Sequence, residues 1–297
     1  MYDIVIIGAG MAGLTAAIYA VRAKKSVLVL EKTVQGGQII NTFSIANWPG
    51  DYKVSGVDLI HKVYDQAVTL GAEIEYGEVS EITPRSEGGF IVKTEDETYT
   101  AGSVILAVGA ASKKLGLASE ERLTGRGVSY CATCDGAFYK DKKVAVIGGG
   151  NTALYDALYL ANIAKEVYLV HRRNEFRGDK VLVEKLKGKD NVKFVLECQP
   201  KEILGDRKVT GLKLTSGKTL DVDGIFVAIG EKPMTENLSD LVELDDGGYI
   251  VAGEDCATSC PGVFVAGDCR TKTVRQLVTA AADGAIAATT AVKYLDK

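Results

Sequence analysis

The chain has 297 residues, 46% apolar and 25% charged, enough for about two domains with large cores, which excludes wholesale disorder. Its formal charge is −4, from 35 basic and 39 acidic residues, which argues against a general nucleic-acid binder. No apolar run reaches the roughly 18 residues of a membrane span, and no basic segment precedes Ile4–Ile7, so neither an anchor nor a signal peptide is expected. Six cysteines in a chain this large are not a disulfide framework. One Cys-x-x-Cys among them suggests redox or metal chemistry in a cytoplasmic protein.

In chain order, the strand Ile4–Ile7 runs into Gly8-Ala9-Gly10-Met11-Ala12-Gly13, a helical stretch, and a second apolar run ending at Glu31. This is a G-x-G-x-x-G loop in a β-α-β setting. Gly8 permits the turn, Gly10 lets backbone approach a pyrophosphate, and Gly13 lets helix and strand pack closely. A carboxylate at Glu31 can accept hydrogen bonds from an adenosine ribose. His61 falls in a helical stretch over 56–72 and reads as a surface or packing residue. The alternating segments from Ile74 to Thr100 predict antiparallel strands, and Val104–Val108 a buried strand ending at Gly109.

The Cys131-Ala132-Thr133-Cys134-Asp135 run comes next. Two thiols at this spacing can close as a disulfide, and one thiolate is easily favoured. Asp135 could carry a proton during exchange. A metal site would need four ligands; Cys256 and Cys260 have a different spacing, and no histidine lies near either pair. A buried inert pair is the other alternative. Cys198, Cys256, Cys260 and Cys269 carry no motif and read as packing residues.

Residues 143–171 repeat residues 3–31 at an offset of 140, with Gly8 falling on Gly148 and Gly10 on Gly150. The second loop is Gly148-Gly149-Gly150-Asn151-Thr152-Ala153. Where the first copy has Glu31, the second has His171, followed by Arg172, Arg173 and Arg177. A carboxylate repels a 2′-phosphate, whereas guanidinium groups bind it by forked, charge-assisted hydrogen bonds. The first site therefore suits FAD and the second NADPH. Lys180, Lys185, Lys187 and Lys189 leave open a merely solvated basic face.

A second set of alternating segments runs from Val192 to Val222, followed by strands at Gly224–Ile229 and Val263–Ala266. The latter leads into Gly267-Asp268, and an alanine-rich helix starts at about Arg275. The expected fold class is α/β, with two Rossmann-like nucleotide-binding domains of three-layer ββα type, the second inserted into the first. Residues 1–112 and 245–297 would form a discontinuous FAD-binding domain, and 113–244 an NADPH-binding domain carrying the cysteine pair.

These motifs, in this order, resemble the low-molecular-weight NADPH-dependent thioredoxin reductases, class II pyridine nucleotide-disulfide oxidoreductases. The resemblance rests on GAGMAG, Gly36-Gly37-Gln38, Asn47-Trp48-Pro49-Gly50, CATCDG, GGGNTA, HRRNEFR, Gly267-Asp268 and Arg275-Gln276. It implies that Gly36, Gly37, Gln38 and Asn47 line the flavin, that Asp268 bonds the ribityl chain, and that Arg275-Gln276 stands near the flavin ring. It further implies Cys134 as the flavin-facing sulfur, Cys131 as the one attacking thioredoxin, and Asp135 as acid and base. A homodimer is implied too. Electrons would pass from NADPH through FAD and a Cys131–Cys134 redox disulfide to thioredoxin or a thioredoxin-like protein. The alternative is a flavin thiol-disulfide reductase using ferredoxin or another donor. Four departures stand out: Met11 for a frequent proline, Asn41-Thr42-Phe43-Ser44 for a threonine-rich run, Tyr155-Asp156 for a glutamate pair, and no acidic residue in CRTKTVRQ.

Overall fold

The computed structural model describes residues 1–297 except Phe43, Tyr52 and the side chain of Asn41, so the departure at Phe43 lies outside the described residues. β1 (Tyr2–Ile7), α1 (Met11–Arg22) and β2 (Val27–Glu31) form the first β-α-β start. α2 (Gly56–Thr69), β3 (Glu73–Tyr76), β4 (Val79–Pro84), β5 (Phe90–Thr94), β6 (Thr98–Leu106) and β7 (Ala110–Ser112) follow. Then come α3 (Glu120–Leu123), β8 (Val128–Ser129), α4 (Ala132–Asp135), β9 (Lys143–Ile147), α5 (Asn151–Ala161), β10 (Glu166–Val170), α6 (Lys180–Lys187) and β11 (Val192–Val195). The chain ends with β12 (Pro200–Leu204), β13 (Gly211–Leu214), β14 (Thr219–Leu220), β15 (Gly224–Val227), β16 (Glu231–Pro233), β17 (Val263–Val265) and α7 (Leu277–Leu295).

The chain is α/β and divides into two compact units, 1–111 with 232–297, and 112–231, so the second is inserted into the first. In the first unit, β3-β2-β1-β6 is parallel, with β17 beside the end of β6 and β5-β4 antiparallel beyond it. In the second, β11-β10-β9-β15-β8 is parallel, and β12-β13-β14 forms a separate antiparallel sheet. Parallel strands are covered on both faces, which is why Ile4–Ile7, Val27–Leu30 and Val144–Ile147 are unbroken apolar runs, all buried. The alanines of α1 and α7 let these helices approach closely: a Cβ on Gly284 would meet Ala12 O at 2.2 Å.

Two expectations need correction. β3 is not antiparallel but extends the nucleotide sheet in parallel with β2, pairing Val29 with Ile74. The Thr98–Gly102 and Val104–Leu106 segments are one strand, β6, whose first half pairs with β5 and second half with β17. The compact units divide at 111/112 and 231/232. Residues 232–244 stay with the first unit because Leu238, Leu241, Val242 and Leu244 pack onto the core of Val5, Ile7, Leu28 and Leu30.

Candidate functional site

In the first unit, β1 delivers Gly8 with φ +107°, where a Cβ would meet Ala107 O at 2.5 Å. A Cβ on Gly13 would lie 1.9 Å from Gly8 O, so the loop and α1 close only as glycine. At Gly10 a Cβ would meet nothing within 4 Å. Open space therefore stands at the start of α1, where helical N–H groups favour an anion. Glu31, only 8% exposed, accepts hydrogen bonds from Ala9 N–H at 2.8 Å and Thr33 N–H at 3.1 Å. It lines a cleft of about 210 Å³ with Gly8, Lys32, Met234 and Leu238.

The remaining residues expected at this site lie in the same unit. Gly36 N–H donates to Ala9 O at 2.8 Å, and Gly36 and Gly37, both at positive φ, open a 3₁₀ turn over Gly37–Asn41. Gln38 Nε2 donates to Ala110 O, and Asn47 Nδ2 to Gln276 Oε1 at 3.0 Å. A Cβ on Gly267 would lie 2.9 Å from Ala12 Cβ, which puts Gly267-Asp268 beside the loop. Arg275 Nε donates to Asp268 O at 3.2 Å, and its guanidinium lies 4.0 Å over the Tyr249 ring. Gln276 caps α7 through a reciprocal capping box with Thr279. Asp268 Oδ1 is buried without a hydrogen bond. Burial raises the Asp268 carboxyl above the ordinary range, and Lys272 and Arg275 pull it back.

The second loop repeats the pattern. Gly148 has φ +155°, with Ala228 O 2.3 Å from where its Cβ would lie. A Cβ on Gly149 would collide with the His171 ring at 2.1 Å. His171 is thus the wall of the loop; its Nε2 pairs with Glu175 O at 3.1 Å and its ring stacks on Phe176. Burial, and then the neighbouring Arg172, Arg173 and Arg177, hold its pKa below the usual value. Arg177 N–H donates to Gly149 O at 2.8 Å, folding the arginine segment back over the loop. A Cβ on Gly150 would meet only Arg177 Nη2, at 3.9 Å. The three arginines are exposed, and none forms an ion pair with a carboxylate among the described residues. Asn151 is structurally committed, its Oδ1 accepting from Asp179 N–H at 2.7 Å, while Thr152 is exposed beside it.

Cys131 and Cys134 form a disulfide. Buried Ser129, at the end of β8, accepts from Cys131 N–H at 3.1 Å, and Cys134 N–H points at Cys131 Sγ at 3.2 Å. Asp135 lies against Ser129, and its carboxyl is raised by burial, with the Ser129 hydroxyl opposing. Behind the pair, a Cβ on Gly136 would meet the Tyr159 ring at 2.7 Å, so α5 supports the motif directly.

Two contributing residues, Glu120 and Tyr249, carry no sequence signal. Glu120, 2% exposed, accepts from Leu115 and Gly116 N–H and from the Tyr130 hydroxyl, each at 2.8 Å, tying the segment after β7 to the residue before Cys131. Tyr249 seats Arg275. Asp156 on α5 is pushed up to about 7 by burial, while Tyr155 beside it is exposed. Cys256 and Cys269 are buried core residues, as packing residues should be.

A family model described as pyridine nucleotide-disulphide oxidoreductase matches residues 2–284. A thioredoxin reductase of Listeria monocytogenes is 43% identical over 100% of this chain and 95% of its own. A bifunctional thioredoxin reductase/thioredoxin of Mycobacterium leprae is 41% identical over 99% of this chain and 66% of its own. The crystal structure of thioredoxin reductase from Streptococcus pyogenes superposes with a TM-score of 0.95 at 41% identity, covering 100% of this chain and 98% of that one.

Proposed function

The chain belongs to the pyridine nucleotide-disulphide oxidoreductases, among the thioredoxin reductases, and from that premise we propose that it reduces thioredoxin or a thioredoxin-like protein at the expense of NADPH. The observation that carries the reading is the Cys131–Cys134 disulfide in a chain with two glycine-loop cradles of opposite charge preference. FAD and NADPH, when bound, supply the electron pair.

The first cradle fits a flavin dinucleotide. Gly8, Gly10 and Gly13 leave room for a pyrophosphate, Glu31 faces a cleft suited to adenosine, and Asp268 Oδ1 lacks a donor that a ribityl hydroxyl provides. Gly36, Gly37, Gln38, Asn47, Gly267, Arg275 and Gln276 complete it. The second fits NADPH, with Gly148, Gly150, Asn151 and Thr152 at the pyrophosphate, His171 as wall, and Arg172, Arg173 and Arg177 on the 2′-phosphate. That arginine cluster favours NADPH over ferredoxin or another donor. Residues 1–111 and 232–297 are then the FAD-binding domain, and 112–231 the NADPH-binding domain.

The Cys131–Cys134 disulfide takes up the electron pair and opens to two thiols. Cys131 attacks the partner's disulfide, and Cys134 resolves the mixed disulfide that forms. Asp135 gives and takes the proton at sulfur. The Mycobacterium leprae relative, whose name joins both activities in one chain, supports thioredoxin as the partner. The assembly we propose is a cytoplasmic homodimer, checked by light scattering. No helix among the described residues is long and apolar enough to cross a membrane. A steady-state assay with FAD-loaded protein, NADPH and oxidised thioredoxin tests the reading; failure to form thioredoxin dithiol contradicts it.

Two variants probe the machinery. Gly10→Ala adds a methyl group where the protein offers only space, so the thermal midpoint of the apoprotein should stay unchanged while FAD affinity drops about tenfold or more. Unchanged affinity would remove the pyrophosphate from that loop. Asp135→Asn should slow thiol–disulfide exchange by roughly 10²-fold, the scale of a lost general acid. Asp135 carries its proton below its raised pKa, so the deficit should be largest at low pH and narrow as pH rises through that pKa. A deficit constant across pH would deny Asp135 the proton.

A further inference from the structure

Asp268 and Asp283 stand on either side of one lysine. Lys272 Nζ lies 2.9 Å from Asp283 Oδ2 and 3.6 Å from Asp268 Oδ1, with its side chain only 8% exposed. Asp283, on α7, is separately secured. Arg270 grips it with Nε and Nη2, both at 3.0 Å, and Gly267 N–H donates to it at 3.1 Å. The Arg270–Asp283 fork therefore fixes where the Lys272 ammonium sits. Asp268 is held differently. At 3.6 Å, Lys272 supplies charge but no hydrogen bond, so the buried Oδ1 keeps its lone pairs open. Two cations and two carboxylates balance within one largely buried cluster.

We propose that Lys272 is a positioning residue for the flavin: anchored on Asp283, its ammonium holds the Asp268 carboxylate as an anionic acceptor open toward the FAD cradle. This rests on the reading that Asp268 faces FAD. A hydroxyl of the cofactor bonds more strongly to a carboxylate than to a neutral carboxyl. Burial pushes Asp268 toward the neutral form, and Asp283 adds to that push. Lys272 and Arg275 oppose it. The adjacent Cys269 thiol is itself pushed up to about 11 and stays neutral, and the start of α1 packed on Gly267 brings no titratable group. Without Lys272 one of two opposing cations is gone, so Asp268 gains its proton at higher pH and the anionic acceptor disappears on mild acidification.

The test is FAD binding to apoprotein, read by flavin fluorescence from mildly alkaline to mildly acid pH, with the apoprotein's thermal midpoint measured alongside. Lys272→Met should weaken FAD about tenfold, the scale of one charge-assisted contact, with the loss growing on acidification. Lys272→Arg should recover most of the affinity. Wild-type affinity and pH profile in Lys272→Met would overturn the proposal. So would a pH-independent loss accompanied by a lower thermal midpoint, which marks a packing role alone. Asp268→Asn separates the two readings. If it binds FAD as wild type does, the placement of Asp268 at the flavin fails and the proposal falls with it; if it binds weakly while Lys272→Met binds normally, only the role of Lys272 fails.

Discussion

A Cys134→Ser variant should lose thioredoxin reduction by about 10⁴-fold or more, the scale on which removing a covalent nucleophile acts, while NADPH still bleaches its flavin. The reason lies in the separation of parts. The dinucleotide cradles are built from Gly8–Glu31 and Gly148–Arg177, and neither segment contains a cysteine. The disulfide sits on a single short turn, α4, held by Ser129 and backed by α5. Serine in place of Cys134 leaves that turn intact but removes the disulfide that must open. Cys131→Ser should give the same loss, because the two sulfurs act as one unit. Stopped-flow absorbance of the flavin and a thiol assay on thioredoxin, run on the same preparation, read both halves. Thioredoxin reduction above a tenth of the wild-type rate in either variant would move the redox centre away from this pair.

Exchanging Arg172, Arg173 and Arg177 together for glutamine should lower kcat/KM for NADPH by about 10²-fold and leave NADH within a few-fold. Three solvent-exposed charge-assisted contacts to a phosphate, each worth up to about 1 kcal/mol or roughly fivefold, give that size. The Arg177 backbone is tied to Gly149 O, so its side chain hangs beside Gly150 without depending on charge for its place. The His171 wall is left untouched, which protects the loop from collapse. Because the three side chains are exposed, the wild-type preference for NADPH should also weaken with added salt, and that of the variant should not. Equal losses with NADPH and NADH would mean that the arginines support the fold rather than read the 2′-phosphate.

Much of this was legible in the sequence because the informative contacts are local. Gly8, Gly10 and Gly13 act within one strand-loop-helix, as do Gly148 and Gly150, and the Cys131–Cys134 spacing fits within one turn. The alternation in Glu73–Tyr76 misled because strand direction is set by the partner, here β2, and a short strand reads the same either way. The second crossing between units is only loosely marked in the sequence, because residues 232–244 carry no regular period. Their leucines find their place only against β1 and β2, where Leu238 also walls the cleft beside Glu31. Glu120 with Tyr130, and Lys272 with Asp283, are pairs of ordinary residues ten or more apart, and only folding makes neighbours of them. The departure at Tyr155-Asp156 was visible, but the desolvation that lifts Asp156 to about 7 belongs to its surroundings and not to its identity.

Electrons follow a single path from NADPH to a protein disulfide. Its most direct test is anaerobic titration of the purified protein, first with NADPH and in parallel with NADH, followed by oxidised thioredoxin. The expected result is a yellow protein bleached by NADPH far more readily than by NADH, whose colour returns as thioredoxin dithiol appears. A colourless preparation that stays apo after reconstitution with FAD would contradict the account, as would a bleached flavin that thioredoxin leaves unchanged.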